Sequence, residues 1–409
     1  MSVTRVDCDN LEKNPECPHG PTLLFTRIVK GRPQRFFACS ACRDRKDCPF
    51  FLLEGEKVTE SKLLSWKVLR DELNPDVSPE LLRTAYEEAK SQEAAERTFC
   101  YDCGRFVVSE LSDHATHEMK KKVSDEAMLI PSKILDPKQN DKKEAQFWFD
   151  KSTKDFIVRS IKKLNIDNVL CIGCPTLHEI LHCDMPSLLL DLDYRYYSFY
   201  GEDEFLWFNM FNFHFMRKPE ESKEALRKHL SKDVCVVIDP PFGARLEPIS
   251  YLLKKLKEMC ALQLQVFLVL PYFMEPQVVR HLKGFEMLDF VVDYSNHTKF
   301  RSKGKPGPVR LFTDADPEVF EMPRESGYWF CAECRRWRAQ GNRHCNNCMT
   351  CTSKNGESYL HCPLCDKCVK KTWAHCVLCG ICSYPEGHTC QKQGNKERKI
   401  EKHNKKKKR

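Results

Sequence analysis

From Cys331 onward, cysteine pairs two residues apart alternate with single histidines, and nothing else in the chain constrains its fold so tightly. The series runs Cys331-x2-Cys334, His344-Cys345-x2-Cys348-x2-Cys351, His361-Cys362-x2-Cys365-x2-Cys368 and His375-Cys376-x2-Cys379-x2-Cys382, and closes on His388 and Cys390. Twelve cysteines and four histidines divide into four Cys3His sets with none left over, and structural zinc takes four such ligands in a tetrahedron. Interleaving is expected, so the ligands are not assigned to individual ions from spacing alone.

Two smaller sets lie upstream. Cys17, His19, Cys39 and Cys48 make one complete ligand set, with Cys42 as a rival for its third or fourth place. Cys100-x2-Cys103 followed by His114 and His117 has the order of a C2H2 finger with a shorter loop. Val107, Val108, Glu110 and Asp113 lie between its halves and make a poor base-reading helix. The expected total is about six zinc ions. Between the two sets, Ser78-Pro79-Glu80 reads as an N-cap with proline at the first helical position, opening an amphipathic helix toward Arg97.

The 24 cysteines point to metal rather than disulfides only if the thiols stay reduced. Met1 to Asn10 has no apolar signal-peptide core, and no apolar run approaches the ~20 residues that span a bilayer. An intracellular chain with no membrane partner is therefore expected. The net charge of +8 is confined to Gln391–Arg409, where ten Lys or Arg meet two Glu (10 − 2 = +8), so the rest is formally neutral. Such a basic tail binds phosphates or serves as an address. The nucleus or nucleolus is the expected compartment, with the cytoplasm as the alternative.

Residues ~145–315 have a different rhythm. Apolar strands at Asn168–Gly173, Ser187–Asp193, Glu204–Asn209, Val234–Ile238, Leu262–Leu270, Phe285–Val292 and Val309–Phe312 alternate with helical stretches such as Ser152–Leu164 and Ile249–Cys260. This is βαβ patterning with a mainly parallel sheet, an α/β fold. Ligands of such sheets sit outside the carboxyl ends of the strands. There the strand Val234–Ile238 runs into Asp239-Pro240-Pro241-Phe242: an acid, two prolines that stop strand pairing, and a ring. Acceptors at Asp239 and the Pro240 carbonyl suit a flat amine such as adenine N6, and Phe242 can stack on the base. Cys171-x2-Cys174 has metal spacing but no partner pair nearby.

These motifs carry family resemblances. Cys17-Pro18-His19-Gly20, Arg35-Phe36-Phe37-Ala38-Cys39 and Cys48-Pro49-Phe50-Phe51 resemble the GRF-type zinc finger, a binder of single-stranded nucleic acid. Arg32, Arg35 and the phenylalanines would supply its charge and stacking surfaces. The C-terminal spacing resembles CCHC-type and DHHC-type modules, but the Asp-His-His-Cys tetrad of palmitoyltransferases is absent, as are membrane spans. The strand-and-acid order resembles the Rossmann-like S-adenosylmethionine-dependent methyltransferases, although Cys171-Ile172-Gly173-Cys174-Pro175 has one glycine where many have two or three. DPPF is similar to the motif of the adenine N6-methyltransferases.

Taken together, the layout resembles the zinc-finger CCHC-domain rRNA adenine-N6-methyltransferases, whose members modify large-subunit (28S-type) ribosomal RNA. The resemblance implies a GRF finger at 1–57, a linker helix at 58–98, a C2H2-like finger at 99–125, a methyltransferase domain at 126–324, a zinc module at 325–390 and a basic tail at 391–409. It implies an enzyme that takes S-adenosylmethionine and zinc, with RNA as its partner and the zinc modules as an RNA platform. By position, Asp191 (or Asp193) would bind the cofactor ribose and Gly173 would admit the cofactor to the backbone. Phe208, Asn209 and Met210 would flank its adenine, and Gln146, Phe147, Trp148 and Phe149 would close over it. Asp239 to Phe242 would hold the target base, with Asp239 touching the cofactor as well. Methylation of DNA adenine or of glutamine is the rival enzymatic reading. A non-catalytic RNA-binding zinc protein with a degenerate methyltransferase fold is the rival from another class.

Overall fold

The computed structural model describes residues 5–42, 45–73, 78–108, 114–138, 146–297 and 307–386, together with 388 and 390. The basic tail from Gln391 and the finger residues Glu110 and Asp113 lie outside the described residues. An eight-stranded sheet forms the centre. In chain order its strands are β1 (Val169–Ile172), β2 (Ser187–Asp191), β3 (Phe205–Asn209), β4 (His214–Phe215), β5 (Val234–Ile238), β6 (Leu264–Pro271), β7 (Glu286–Val291) and β8 (Val309–Thr313). In space they run β4-β3-β2-β1-β5-β6-β8-β7. The pairs β1–β2, β2–β3, β1–β5 and β5–β6 are parallel, whereas β8 lies antiparallel between β6 and β7. The chain order reverses between β1 and β5, which is a topological switch point.

The central strands are apolar on both faces because both faces are covered. Every residue of β1, β2, β3 and β5 is buried. Leu170, Ile172, Val236 and Ile238 pack on one side with Leu226, Ile249 and Leu253 of helices α2 (Pro219–His229) and α3 (Leu246–Met259). Cys171, Val237, Phe267 and Phe290 pack on the other with Phe156 and Ile157 of helix α1 (Lys151–Lys163). Asp150 caps α1 by accepting the Thr153 N–H at 2.9 Å. The pair Cys171 and Cys174 belongs to this core, and Cys174 Sγ donates to the Val237 carbonyl. Neither is a metal ligand.

The flanking modules are small antiparallel sheets. Arg5–Asp7, Leu23–Val29, Arg32–Ala38 and Phe51–Leu53 form the N-terminal one. Thr98–Cys100, Arg105–Val107 and Met119–Lys121 form the second. The segment between them is not one helix but two, Glu60–Leu73 and Pro79–Ser91, and the second stops short of Arg97. Ser78 caps that second helix through the Leu81 N–H, as its sequence predicts. The C-terminal module is a train of four two-stranded hairpins from Trp329 to Ser383.

Candidate active site and zinc centres

The carboxyl ends of β1, β2, β3 and β5 open onto one cleft. Its lining includes Gln146, Phe147, Gly173, Asp191, Phe208, Asn209, Met210 and the whole of Asp239-Pro240-Pro241-Phe242. The Gly173 N–H donates to the Leu190 carbonyl at 3.0 Å, and the Asp239 N–H to the Ile172 carbonyl at 3.1 Å, so the three strand ends are locked in register. Gly173 has φ +68°, and a Cβ there would lie 2.9 Å from Met210 Cε and 3.0 Å from the Asp239 carbonyl oxygen. One glycine therefore does the work, because only this position is both left-handed and pressed against the next strand.

The acid that ends β2, Asp191, and the one two residues on, Asp193, differ in what they already hold. Asp193 accepts three hydrogen bonds from the Arg195 guanidinium and pairs with Lys138 at 3.1 Å. Asp191 is held by backbone groups instead, accepting the Asp193 N–H at 2.9 Å and a hydrogen bond from the Leu192 backbone. Burial, and then the neighbouring Asp193 charge, push the Asp191 carboxyl up to about 7. Asp193 is held below the ordinary range by Lys138 and Arg195, against the effect of its burial.

Asp239 is partly exposed in the cleft. The hydroxyl of the buried Tyr294 donates to its Oδ1 at 2.9 Å. Desolvation pushes the Asp239 carboxyl well above its ordinary value, and the Tyr294 hydrogen bond opposes that rise. Phe242 stacks on Phe147, with centroids 5.4 Å apart and planes at 22°. The segment carrying Phe147 is stitched to the one carrying Tyr294. Asn296 accepts from the Trp148 N–H and donates to the Gln146 carbonyl, and the Ser295 N–H donates to the Trp148 carbonyl. Of the four residues expected to close over a cofactor, Gln146 and Phe147 line the cleft. Trp148 and Phe149 do not; Phe149 stacks on Tyr294 at 5.4 Å instead.

The N-terminal finger reaches this cleft. Asn209 Nδ2 donates to the His19 carbonyl at 2.9 Å and to Ser40 Oγ at 2.8 Å, and Ala41 joins the cleft wall. Asn212 Nδ2 donates to the carbonyls of His19 and Pro21. Asn209 thus lines the cleft with its side-chain amide committed to the finger.

The sequence-predicted zinc ligands fall into six groups. Cys17, His19, Cys39 and Cys48 form one, and Cys100, Cys103, His114 and His117 form another. Cys42 stands outside the first group: its N–H donates to Cys39 Sγ, and its thiol faces the far nitrogen of His19, Nε2. In the C-terminal train the groups interleave. Cys331, Cys334, His344 and Cys351 make the first, Cys345, Cys348, His361 and Cys368 the second, and Cys362, Cys365, His375 and Cys382 the third. Cys376, Cys379, His388 and Cys390 close the series, with Cys379 Sγ 3.5 Å from His388 Nε2. The Cys348–Cys368 and Cys365–Cys382 sulfurs stand 3.7 and 3.5 Å apart. Sulfurs at ~2.3 Å from one tetrahedral zinc would be separated by about 3.8 Å, so the donor sets fit that ion.

Residues 140–312 match the family model described as a probable N6-adenine methyltransferase. The rRNA N(6)-adenosine-methyltransferase ZCCHC4 of Xenopus tropicalis is 39% identical over 365 residues, covering 82% of this chain and 74% of that protein. The proteins of the same name from Homo sapiens and Mus musculus are 38% and 39% identical, covering 83% and 81% of this chain and 71% and 70% of theirs. The chain belongs to the ZCCHC4 family. It is a methyltransferase, and the family's chemistry calls for S-adenosylmethionine.

The cleft residues fit that cofactor. Asp191 offers carboxylate acceptors for a ribose diol, and Phe208, Met210 and Phe211 give a largely apolar wall for a base.

Sequence reasoning missed Tyr294, Asn296 and Lys138. The strand read at Phe285–Val292 points its carboxyl end at the same edge, so the strand-end rule applied there would have found Asp293 to Asn296. Lys138 has no such signal, because it enters from a segment without regular structure.

Proposed function

We propose that this protein transfers a methyl group from S-adenosylmethionine to N6 of an adenosine in structured RNA, ribosomal RNA being the substrate named for its relatives. The observation that carries the reading is Asp239, fixed by Tyr294 at the edge of the cleft that Asp191 and Gly173 also line. When bound, the cofactor supplies an electrophilic methyl group. Asp191 holds the ribose hydroxyls and Asp193 anchors the loop behind it. Asp239 and the Pro240 carbonyl accept the two N6 hydrogens, and Phe242, backed by Phe147, stacks on the base. The adenine lone pair is delocalised, so a proton must leave N6 as the new C–N bond forms. A carboxylate with a raised proton affinity is the better base for it.

A groove beside the cleft supports RNA as the substrate. Pro241 lines both. The groove continues over the finger along Phe25, Phe36 and Phe51, whose neighbouring centroids are 5.4 and 5.1 Å apart. Arg27 and Arg45 lie over Phe36 and Phe51 at 5.0 and 4.0 Å. Rings interleaved with guanidinium groups are the chemistry that holds unstacked bases. Action in the nucleus or nucleolus is part of the same proposal.

The test is labelled S-adenosylmethionine with purified protein and total RNA, followed by nucleoside analysis. N6-methyladenosine should form with the wild type. Asp239→Ala should abolish it and leave cofactor affinity nearly intact. A labelled product in glutamine or DNA only, or cofactor binding with no product in any substrate, would overturn the reading.

A further inference from the structure

The cationic side chains of the C-terminal module divide into two groups. Arg335, Arg336, Arg338 and Lys354 pair with Glu318, Glu286, Asp289 and Glu275, and these pairs staple the module to the methyltransferase domain. Arg343, Lys370 and Lys371 make no ion pair among the described residues, and neither does Arg310 of β8. All four line one large cleft along the seam between the two domains. Asp293 and Glu357 are the acids in its wall, so the cleft carries a formal +4 − 2 = +2.

Arg310 makes this more than a surface patch. It is 1% exposed, and its Nη1 is held by the carbonyls of Gly307 and Val309. Its Nε has no hydrogen-bond partner among the described residues. A guanidinium taken out of water without a carboxylate in ion-pair contact is costly, and one left with a bare N–H more so. The Tyr272 ring 5.8 Å away and the longer-range charges of Asp289 and Asp293 hold the cation without pairing it; an anion entering the open cleft would complete it. The other wall groups suit a phosphate: hydroxyls of Ser326, Tyr328 and Ser358, and the amide of Asn355.

The place of the cleft selects the anion. Asp293 in its wall is the chain neighbour of Tyr294, which holds Asp239. We propose that the seam cleft binds the phosphodiester backbone of the substrate RNA, with Arg310, Arg343, Lys370 and Lys371 on its phosphates, and so sets which nucleotide reaches Asp239. This rests on the RNA reading given above. An acidic peptide offers carboxylates to the same cations, but nothing would then tie the cleft to the base pocket one residue away.

The test uses the full chain with zinc bound. Arg343→Ala/Lys370→Ala/Lys371→Ala removes three cations outside the core, so folding should survive; Arg310→Met is a second variant, judged only if its thermal transition is intact. Lys228→Ala/Lys232→Ala, at and beyond the helix on the opposite face of the sheet, controls for the loss of surface cations elsewhere, two against three. The probes are a fluorescein-labelled hairpin RNA, titrated from 50 to 200 mM salt, and poly-L-glutamate. The triple variant should bind the hairpin about tenfold more weakly. Its log-log salt slope should fall by about two to three, close to one unit for each phosphate that is no longer neutralised. Cofactor affinity should not change. Unchanged RNA affinity and slope would overturn the cleft while leaving the methyltransferase reading intact. Loss of poly-L-glutamate binding alone would make it a peptide site. A wild type that bound neither hairpin nor total RNA would sink the RNA reading itself.

Discussion

The hydroxyl of Tyr294 donates to Asp239 Oδ1 at 2.9 Å, and both groups stand at carboxyl ends of strands, β7 and β5, that are not neighbours in the sheet. The bond lowers the Asp239 pKa against desolvation. Its removal therefore raises that pKa further. A hydrogen bond to a charged group is worth about 1.5–3 kcal/mol, or roughly one to two pH units. Tyr294→Phe should move the acidic limb of the kcat/KM profile for methyl transfer up by about that much. Its cofactor Kd should stay at the wild-type value. A pH profile that does not move would remove Asp239 from the proton path.

Asp191 gives a second pH dependence, with a different readout. Its carboxyl titrates near 7 because it is buried beside Asp193, and a ribose diol needs the ionised form as acceptor. Cofactor affinity should rise from pH 6 to pH 8, by about tenfold per unit on the acid side of 7. Apo stability runs the other way. The folded state keeps this proton up to about 7 and the unfolded chain loses it near 3.8, so Asp191's contribution fades as pH rises between them. Asp191→Ala should weaken cofactor binding at every pH and flatten the dependence. Calorimetry across that range measures both.

The strands were legible in the sequence because burial on both sheet faces writes them as unbroken apolar runs, such as Val234–Ile238. The acid and DPPF followed from the rule that ligands sit at carboxyl ends. What was not legible depended on long-range docking. Trp148 and Phe149 look like any aromatic lid until Asn296 and Tyr294, nearly 150 residues later, hold their segment by a Trp148 N–H bond and a Phe149 ring stack. Asn209 lines the cleft, but nothing local in the sequence says that the finger holds its amide. Zinc pairing stayed open for a local reason. His344 and Cys345 are adjacent on a strand, so their side chains point to opposite faces and serve different groups.

That alternation makes the metal stoichiometry a test. The full chain should contain about six zinc ions by elemental analysis. His344→Ala should empty the group of Cys331, Cys334 and Cys351. Cys345→Ser, one residue on, should empty that of Cys348, His361 and Cys368. The double variant should therefore lose about two ions, not one. If the double variant lost the same single ion as each parent, the interleaved pairing would be wrong.

The finger's grip on the cleft can be loosened without touching its ligands. Asn212 is buried, and its Nδ2 donates to the His19 and Pro21 carbonyls at 3.0 and 2.8 Å. Asn212→Ala removes two neutral hydrogen bonds worth about 1 kcal/mol each and leaves two acceptors to find water. RNA methylation should fall more than cofactor binding, while zinc content stays constant. Equal losses in both would mean that the finger supports the cleft rather than the RNA.

Asp289 is the corresponding point at the other end of the molecule. It is 3% exposed, on β7, and accepts from Arg338 Nη1 at 3.1 Å, the Ala339 N–H at 3.0 Å and Asn342 Nδ2 at 2.7 Å. Arg338 is itself buried, so removing the carboxylate strands a guanidinium between two domains. Breaking one half of such a pair typically costs about 3–5 kcal/mol. Asp289→Ala should separate the module from the sheet and leave the metal groups intact, since each draws its ligands from within the module. The expected signature is protease cleavage between Thr313 and Trp329 with zinc content unchanged and cofactor affinity retained. Asp289→Asn, which keeps an acceptor for the two neutral donors, should restore part of the docking. Zinc loss without cleavage would place the role of Asp289 in the fold of the module rather than in its attachment.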